Sequence, residues 1–136
     1  MERPDLLDHS ALQRRVGELA SRLGVSDFTI RRDSGGEGSH VEISDAYHLI
    51  LSERGKELRH RTTTDIDELL YWIFESLTSI MAWDYEVRHR REGEDFRRQG
   101  FAKHIELIGI LSATWADRLR EELDEVLRRH PFDDAD

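Results

Sequence analysis

The stretch TDIDELLYWIFESLTSIMAWDYEVRHRR, residues 64–91, decides the fold. At about 100° per residue, its apolar side chains return to one line, which predicts a long amphipathic helix. Thr64 or Asp65 can cap the first turn, and Asp67 or Glu68 can complete a capping box. The predicted inner line consists of Ile66, Leu70, Ile73, Leu77, Ile80, Asp84, Val87 and Arg91. More apolar side chains flank this line, so we expect a central helix packed on two sides.

The residues before this helix alternate between apolar and polar with a period of two, which is typical of half-buried strands. Gly35-Gly36 suits a two-residue hairpin turn that places Phe28 opposite Ile43. A three-residue loop at 44–46 then pairs Ile43 with Tyr47, whereas a two-residue loop would pair it with Ala46. We favour the longer loop, because a slip of one residue exchanges the two faces of a strand.

A turn at Arg54-Gly55 extends the same reasoning to the last strand. It pairs Leu51 with Leu58, Leu49 with His60 and Tyr47 with Thr62. The sequence therefore predicts four short antiparallel strands in a meander with one apolar face.

Further helices are predicted before the strands and after the central helix. Residues 8–23 read as an amphipathic helix that Asp8 or Ser10 can cap and Gly24 can end. After Gly93, a helix starts at Asp95, and a capping box of Thr114 with Asp117 starts the last one, which Pro131 stops. The tail FDDAD is expected to fray beyond Phe132. The predicted fold is one α+β domain over 1–136: an N-terminal helix, the meander, and three helices packed on one sheet face.

Composition narrows the function classes. The 136 residues carry 29 Asp+Glu against 20 Lys+Arg, a net charge of −9. That balance repels nucleic acid and anionic membranes and attracts a basic protein, although it also serves solubility alone. The chain has no Cys, no apolar signal segment and no run long enough to cross a membrane, so we expect a cytoplasmic protein.

No motif points to catalysis, a cofactor or a metal. His48 and His60 are expected on opposite faces of the sheet, so no pair of histidines converges by local spacing. The glycine-rich segment 34–38 joins two strands rather than a strand and a helix, which is wrong for a phosphate cradle. We therefore expect no enzyme, no cofactor and no metal site.

Asp84 stands in the middle of the predicted inner line, where an unpaired carboxylate is costly. Arg88 lies one turn on, and Arg97 and Arg98 follow in the next helix. We interpret Asp84, Arg88, Asp95, Arg97 and Arg98 as a structural ion network at the helix junction. The alternatives are a catalytic or partner-binding acid at Asp84, or a nucleic-acid patch around 88–98, which the interleaved acids disfavour.

Opposite the inner line, acidic and aromatic residues alternate along one row of the central helix. The row is expected to face solvent, and its candidate partner-binding residues are Glu68, Tyr71, Glu75 and Glu86. Aromatic anchors with acidic neighbours suit the surface of a basic protein. A plain solvated face is the alternative.

Several runs resemble the immunity protein 63 family of bacterial polymorphic-toxin systems. They are AYHLILSERGKEL, TTTDIDELLYWIFESLTSIMAWDYE, DFRRQGFAKHIELIGIL, WADRL and HPFDD, so the resemblance covers about residues 45–134. It implies a non-catalytic cytoplasmic antidote that binds and neutralises a cognate toxin domain. The alternative is a small regulatory or scaffold protein that binds another host protein.

The positions that mark the family correspond to a short set here: Glu53, Arg54, Gly55, Tyr71, Trp72, Asp84, Asp95, Arg97 and Arg98. By the reading above, most of them build a turn, the core and the ion network. We therefore interpret them as architecture rather than as toxin contacts. The first quarter of the chain lies outside the resemblance, and its predicted helix and hairpin are candidate specificity elements.

Overall fold

A computed structural model describes residues 5–135. The fold class is α+β, with one helix before a three-stranded sheet and three helices after it. The elements are α1 (His9–Arg22), β1 (Gly38–Ile43), β2 (Tyr47–Glu53), β3 (Lys56–Thr63), α2 (Ile66–Arg88), α3 (Phe96–Leu111) and α4 (Ala113–Arg129). Two compact units meet within α2, between Tyr71 and Trp72. A single domain, and the packing of the helices on the sheet, stay predictions.

The first helix begins and ends where the sequence indicated. The Asp8 carboxylate accepts a hydrogen bond of 2.8 Å from Ala11 N, which caps α1. Gly24 follows the helix with φ of +79°, and its N–H donates to the carbonyl of Ser21. The helix buries Leu12, Val16 and Ala20.

The prediction of four strands is wrong, because residues 28–31 form no strand. Gln13 of α1 binds this segment: its Nε2 donates to the carbonyl of Phe28, and its Oε1 accepts from Ile30 N at 2.7 Å. Only one backbone bond reaches β1 from the segment, from Val41 N to the carbonyl of Arg31. A side-chain amide thus replaces the ladder that the alternation suggested.

The connection between β1 and β2 follows the predicted register. The strands are antiparallel, with Ile43 opposite Tyr47 and Val41 opposite Leu49, so the three-residue loop is confirmed. Val41, Tyr47 and Leu49 share one face and are buried.

The register between β2 and β3 differs from the prediction because of a β-bulge. The two-residue turn is present, since Glu53 pairs with Lys56. Beyond it, Ser52 pairs with Glu57 but Leu51 pairs with Arg59, which leaves Leu58 without a partner on β2. The pairs predicted for Leu58, His60 and Thr62 are therefore wrong by one residue, and every later side chain of β3 lies on the opposite face.

In the unit that begins at Trp72, α3 and α4 pack against each other and are joined by Ser112 alone. The Ser112 hydroxyl accepts from Trp115 N at 3.1 Å, so Ser112 caps α4 in place of the predicted Thr114. Trp115 stacks on Phe74 with ring centroids 6.3 Å apart. The core of this unit also contains Ile108, Ala116 and Leu119.

Candidate functional site

The predicted exposed row of α2 lies on the buried side of the helix. Tyr71, Ala82 and Glu86 are 2%, 0% and 1% exposed, and Glu68 and Glu75 are half-buried. The prediction that Tyr71 and Glu86 face solvent is wrong. Partner contacts by Glu68 and Glu75 stay predictions.

The predicted inner line of α2 is exposed in its C-terminal half. Ile80 and Val87 are 69% and 64% exposed. Thr78 is fully buried instead, and its hydroxyl donates to the carbonyl of Phe74 at 2.6 Å. Because this bond satisfies the hydroxyl, Thr78 packs on the inner side without leaving a buried polar group unpaired.

Asp84 is also exposed, so its predicted place in the core is wrong. The predicted ion pair with Arg88 does form, with 3.3 Å between Arg88 Nε and Asp84 Oδ2. Both side chains are more than half exposed, so the pair contributes little to the free energy of unfolding.

The buried acid of α2 is Glu86. Its Oε1 accepts from Arg90 Nε at 3.1 Å, and its Oε2 accepts from Arg90 Nη2 at 2.9 Å. These bonds raise the pKa of Arg90. Glu86 is 1% exposed and held at two points, so its carboxylate is bound within the chain. A partner contact by Glu86 stays a prediction.

The start of α3 is built around the carboxylate of Asp95. It accepts from Arg97 N and from Asp133 N, at 2.9 and 2.8 Å, and from the Arg97 guanidinium at 3.2 and 2.9 Å. The Arg97 side chain and the two amides hold the pKa of Asp95 well below its ordinary value. The predicted role of Asp95 and Arg97 in an ion network is therefore supported by their geometry.

The same turn holds the chain beyond α4. Arg97 donates to the carbonyls of His130 and Pro131, both at 2.8 Å, and Arg98 pairs with Asp134 at 3.0 Å. Asp95 N donates to Asp134 Oδ1 at 2.7 Å. The guanidinium of Arg98 also lies 4.2 Å from the centre of the Phe132 ring.

We call residues 130–134, with the three residues that hold them, the C-terminal clasp. The expectation that the tail frays beyond Phe132 is wrong for Asp133 and Asp134, and for Asp136 it lies outside the described residues. The pKa of Asp134 is lowered by its bond to Arg98.

Beside the clasp lies an open depression of about 390 Å³, lined by Gly93, Glu94, Asp95, Phe96, Arg97, Asp133 and Ala135. The Asp95 carboxylate in its wall is bound by four donors. A carboxylate with filled acceptor sites and a lowered pKa is a poor general base at neutral pH.

Two histidines come together on the sheet, contrary to the prediction. His48 Nδ1 lies 2.9 Å from His60 Nε2, because the bulge moves His60 to the face of His48. The outer nitrogens of the pair face acids: His60 Nδ1 lies 2.6 Å from Glu57, and His48 Nε2 lies 3.5 Å from Asp45. Among residues 5–135 no group of three or more His, Asp or Glu side chains is arranged to hold a metal ion.

The surface charge of residues 72–136 is unevenly compensated. This stretch contains ten Lys+Arg and 15 Asp+Glu. Each of the ten cations lies within 4.0 Å of a carboxylate. What remains is anionic. On α4 the exposed Asp117, Glu121 and Asp124 fall on one face at spacings of four and three residues, and of these three Asp117 is paired with Arg120. Sequence analysis missed this row, although its spacing was visible.

One comparison with known proteins is decisive. The model of the immunity protein 63 family matches residues 44–125, which is more than half of the chain. The chain belongs to this family. No curated protein and no solved structure gives a significant match.

The immunity protein 63 match takes in β2, β3, α2, α3 and most of α4. It confirms the suspected resemblance. Outside the match lie α1 and residues 130–134 of the C-terminal clasp, whereas the clasp residues Asp95, Arg97 and Arg98 lie inside it. Within residues 5–135 of this family member, no helix combines the length and the apolar character needed to cross a membrane.

Proposed function

We propose that this chain is a non-catalytic immunity protein that binds a cognate bacterial toxin domain and neutralises it in the cytoplasm. The family match over residues 44–125 carries this proposal. The Asp95 carboxylate in the depression beside the clasp supports it, because four donors already occupy that acid.

The acidic face of α4 is the proposed contact for a basic surface of the toxin. Glu121 and Asp124 are exposed and stand on a helix whose four arginines are already paired with carboxylates. An uncompensated anionic face accelerates association with a cationic protein and makes the rate depend on salt.

The test starts from the genes adjacent to that of this chain: a toxin domain encoded there is coexpressed with the chain. Cells that carry both are expected to grow, and purified chain is expected to bind the toxin domain with an association rate that falls between 50 and 500 mM salt, by about tenfold or more. Growth arrest despite soluble chain would reject the toxin partner and favour a regulatory protein that binds another host protein.

A matched pair of variants tests the acidic face. Glu121→Gln with Asp124→Asn is expected to slow association several-fold. Glu18→Gln with Asp27→Asn removes two exposed acids from residues 5–71 and is expected to leave the rate within about twofold. Equal rates for both double variants would exclude α4 as the contact.

A further inference from the structure

β3 is an edge strand and has the longest run of exposed residues among the three strands. The strand order is β1-β2-β3, so β3 pairs on one side only. Its first five residues, 56–60, are all exposed. In an antiparallel strand every second residue directs its N–H and C=O away from its neighbour, and such an edge accepts another strand.

The charges along this edge are uncompensated cations. The side-chain nitrogens of Arg54 in the turn, and of Lys56 and Arg59 on β3, have no carboxylate within 4.0 Å among residues 5–135. The backbone N–H of Arg54 does donate to Glu37 Oε1, at 2.8 Å. Glu57, the acid between them, is bound by His60 Nδ1 at 2.6 Å. Glu53 stands opposite Lys56 in the register, so residues 53–60 carry three cations against two acids. The edge is therefore weakly basic on a chain with a net charge of −9.

Two apolar side chains accompany the cations. Leu58 at the bulge is 57% exposed, and Leu51 on the neighbouring strand is 39% exposed. Lysines and bulges at an edge normally discourage pairing. Exposed leucines do not have that effect, so this edge repels a cationic strand but offers apolar contact to an anionic one.

We propose that β3 docks an extended segment of the cognate toxin whose side chains are acidic and apolar, and that this segment adds a fourth strand beside β3. The proposal rests on the proposed function and names a second contact, separate from the acidic face of α4. Backbone hydrogen bonds supply register, the leucines supply apolar contact, and Arg54, Lys56 and Arg59 select the charge. A second copy of this chain is a poor occupant, because residues 56–63 carry three cations and one acid, so two β3 strands repel each other.

A pair of charge-reversal variants with equal net change tests the selection. Lys56→Glu with Arg59→Glu is expected to weaken binding to the neighbouring toxin domain by at least about tenfold. Arg14→Glu with Arg15→Glu reverses two exposed cations of α1 and is expected to change affinity by less than about threefold. Leu58→Ser tests the apolar contact and is expected to weaken binding without lowering Tm, since the side chain is exposed.

Amide hydrogen exchange tests the geometry. In the complex, alternate amides of residues 56–63 are expected to become protected, and the amides of α1 to remain unchanged. If the β3 variants bind as tightly as the α1 variants and the amides stay unprotected, the edge is not the contact, while tight binding of the unmodified chain keeps the immunity function. If the unmodified chain does not bind the toxin domain, both proposals fall.

Discussion

Gly100 shows how one side chain determines a helix packing. An added Cβ would overlap Cζ3 of Trp83 and lie 2.7 Å from its Cη2. The Trp83 ring also lies 6.1 Å from Phe101 and 5.6 Å from Phe96, centre to centre, so it has little room to move. Gly100 therefore leaves room for the Trp83 ring, which any larger side chain at this position would displace.

We expect Gly100→Ala to destabilise the protein by about 1–3 kcal/mol, because overpacking outweighs the helix propensity of alanine, about 1 kcal/mol. The control lies in the same helix: an added Cβ at Gly109 meets only Ala116 Cβ, at 3.6 Å. Gly109→Ala should be neutral or stabilising by up to about 1 kcal/mol. Urea unfolding measures both, and equal values would contradict the packing argument.

The junction of α3 and α4 depends on a single residue. Ser112 N donates to the carbonyl of Ile108 and its hydroxyl accepts from Trp115 N, so one serine satisfies the end of one helix and the start of the next. Two helices joined this tightly have few alternative arrangements.

Ser112→Ala is expected to cost about 1 kcal/mol of unfolding free energy through the lost cap. Thr114→Ala, at the position that the sequence pattern favoured, is expected to stay within about 0.5 kcal/mol, because Thr114 is exposed and lies beyond the cap. Thermal or urea unfolding separates them. A larger effect at Thr114 would restore the predicted capping box.

For the molecule as a whole, we expect a fall in pH to reduce stability first through the buried His104 and only at lower pH through the carboxylates. His104 is 5% exposed and its Nε2 donates to the carbonyl of Glu75 at 3.0 Å. Burial lowers its pKa below the ordinary 6.5.

The unfolded chain therefore binds the proton of His104 more readily than the folded chain does. Its contribution to stability is complete above pH 6.5 and is lost as pH falls from there toward the lowered folded-state pKa. Urea midpoints from pH 8 to pH 5 should decrease, and His104→Gln should flatten this decrease. An unchanged slope in the variant would assign the effect elsewhere.

The C-terminal clasp responds at lower pH. The pKa values of Asp95 and Asp134 are depressed by their arginine partners, so their stabilising effect is present above the ordinary value of 3.8 and is lost as pH falls through the lowered values. Asp95→Asn removes the stabilisation by the ionised Asp95 carboxylate already at neutral pH.

We expect Asp95→Asn to lower Tm and to release the amide of Asp133 to exchange, because that amide bonds Asp95 Oδ2. Glu94→Gln is the control; it removes one negative charge from the same turn but not the cap of α3. Retained protection of Asp133 in Asp95→Asn would show that the clasp closes without the carboxylate.

Short-range patterns in the sequence determined much of this protein. The caps at Asp8 and Asp95, the glycine after α1 and the register of β1 with β2 each depend on residues close in the chain. Such features are fixed by local hydrogen bonds and side-chain periodicity, and the family match over 44–125 agrees with the resemblance seen in those runs.

Contacts between distant residues decided the rest. Gln13 displaced a predicted strand, the bulge at Leu58 brought His48 and His60 together, and the tail was bound by Arg97 and Arg98. The inner side of α2 was decided in the same way, because its sequence is apolar on more than one side. Periodicity there leaves the rotation of the helix undetermined, and only packing against particular partners distinguishes a buried Glu86 from an exposed Asp84.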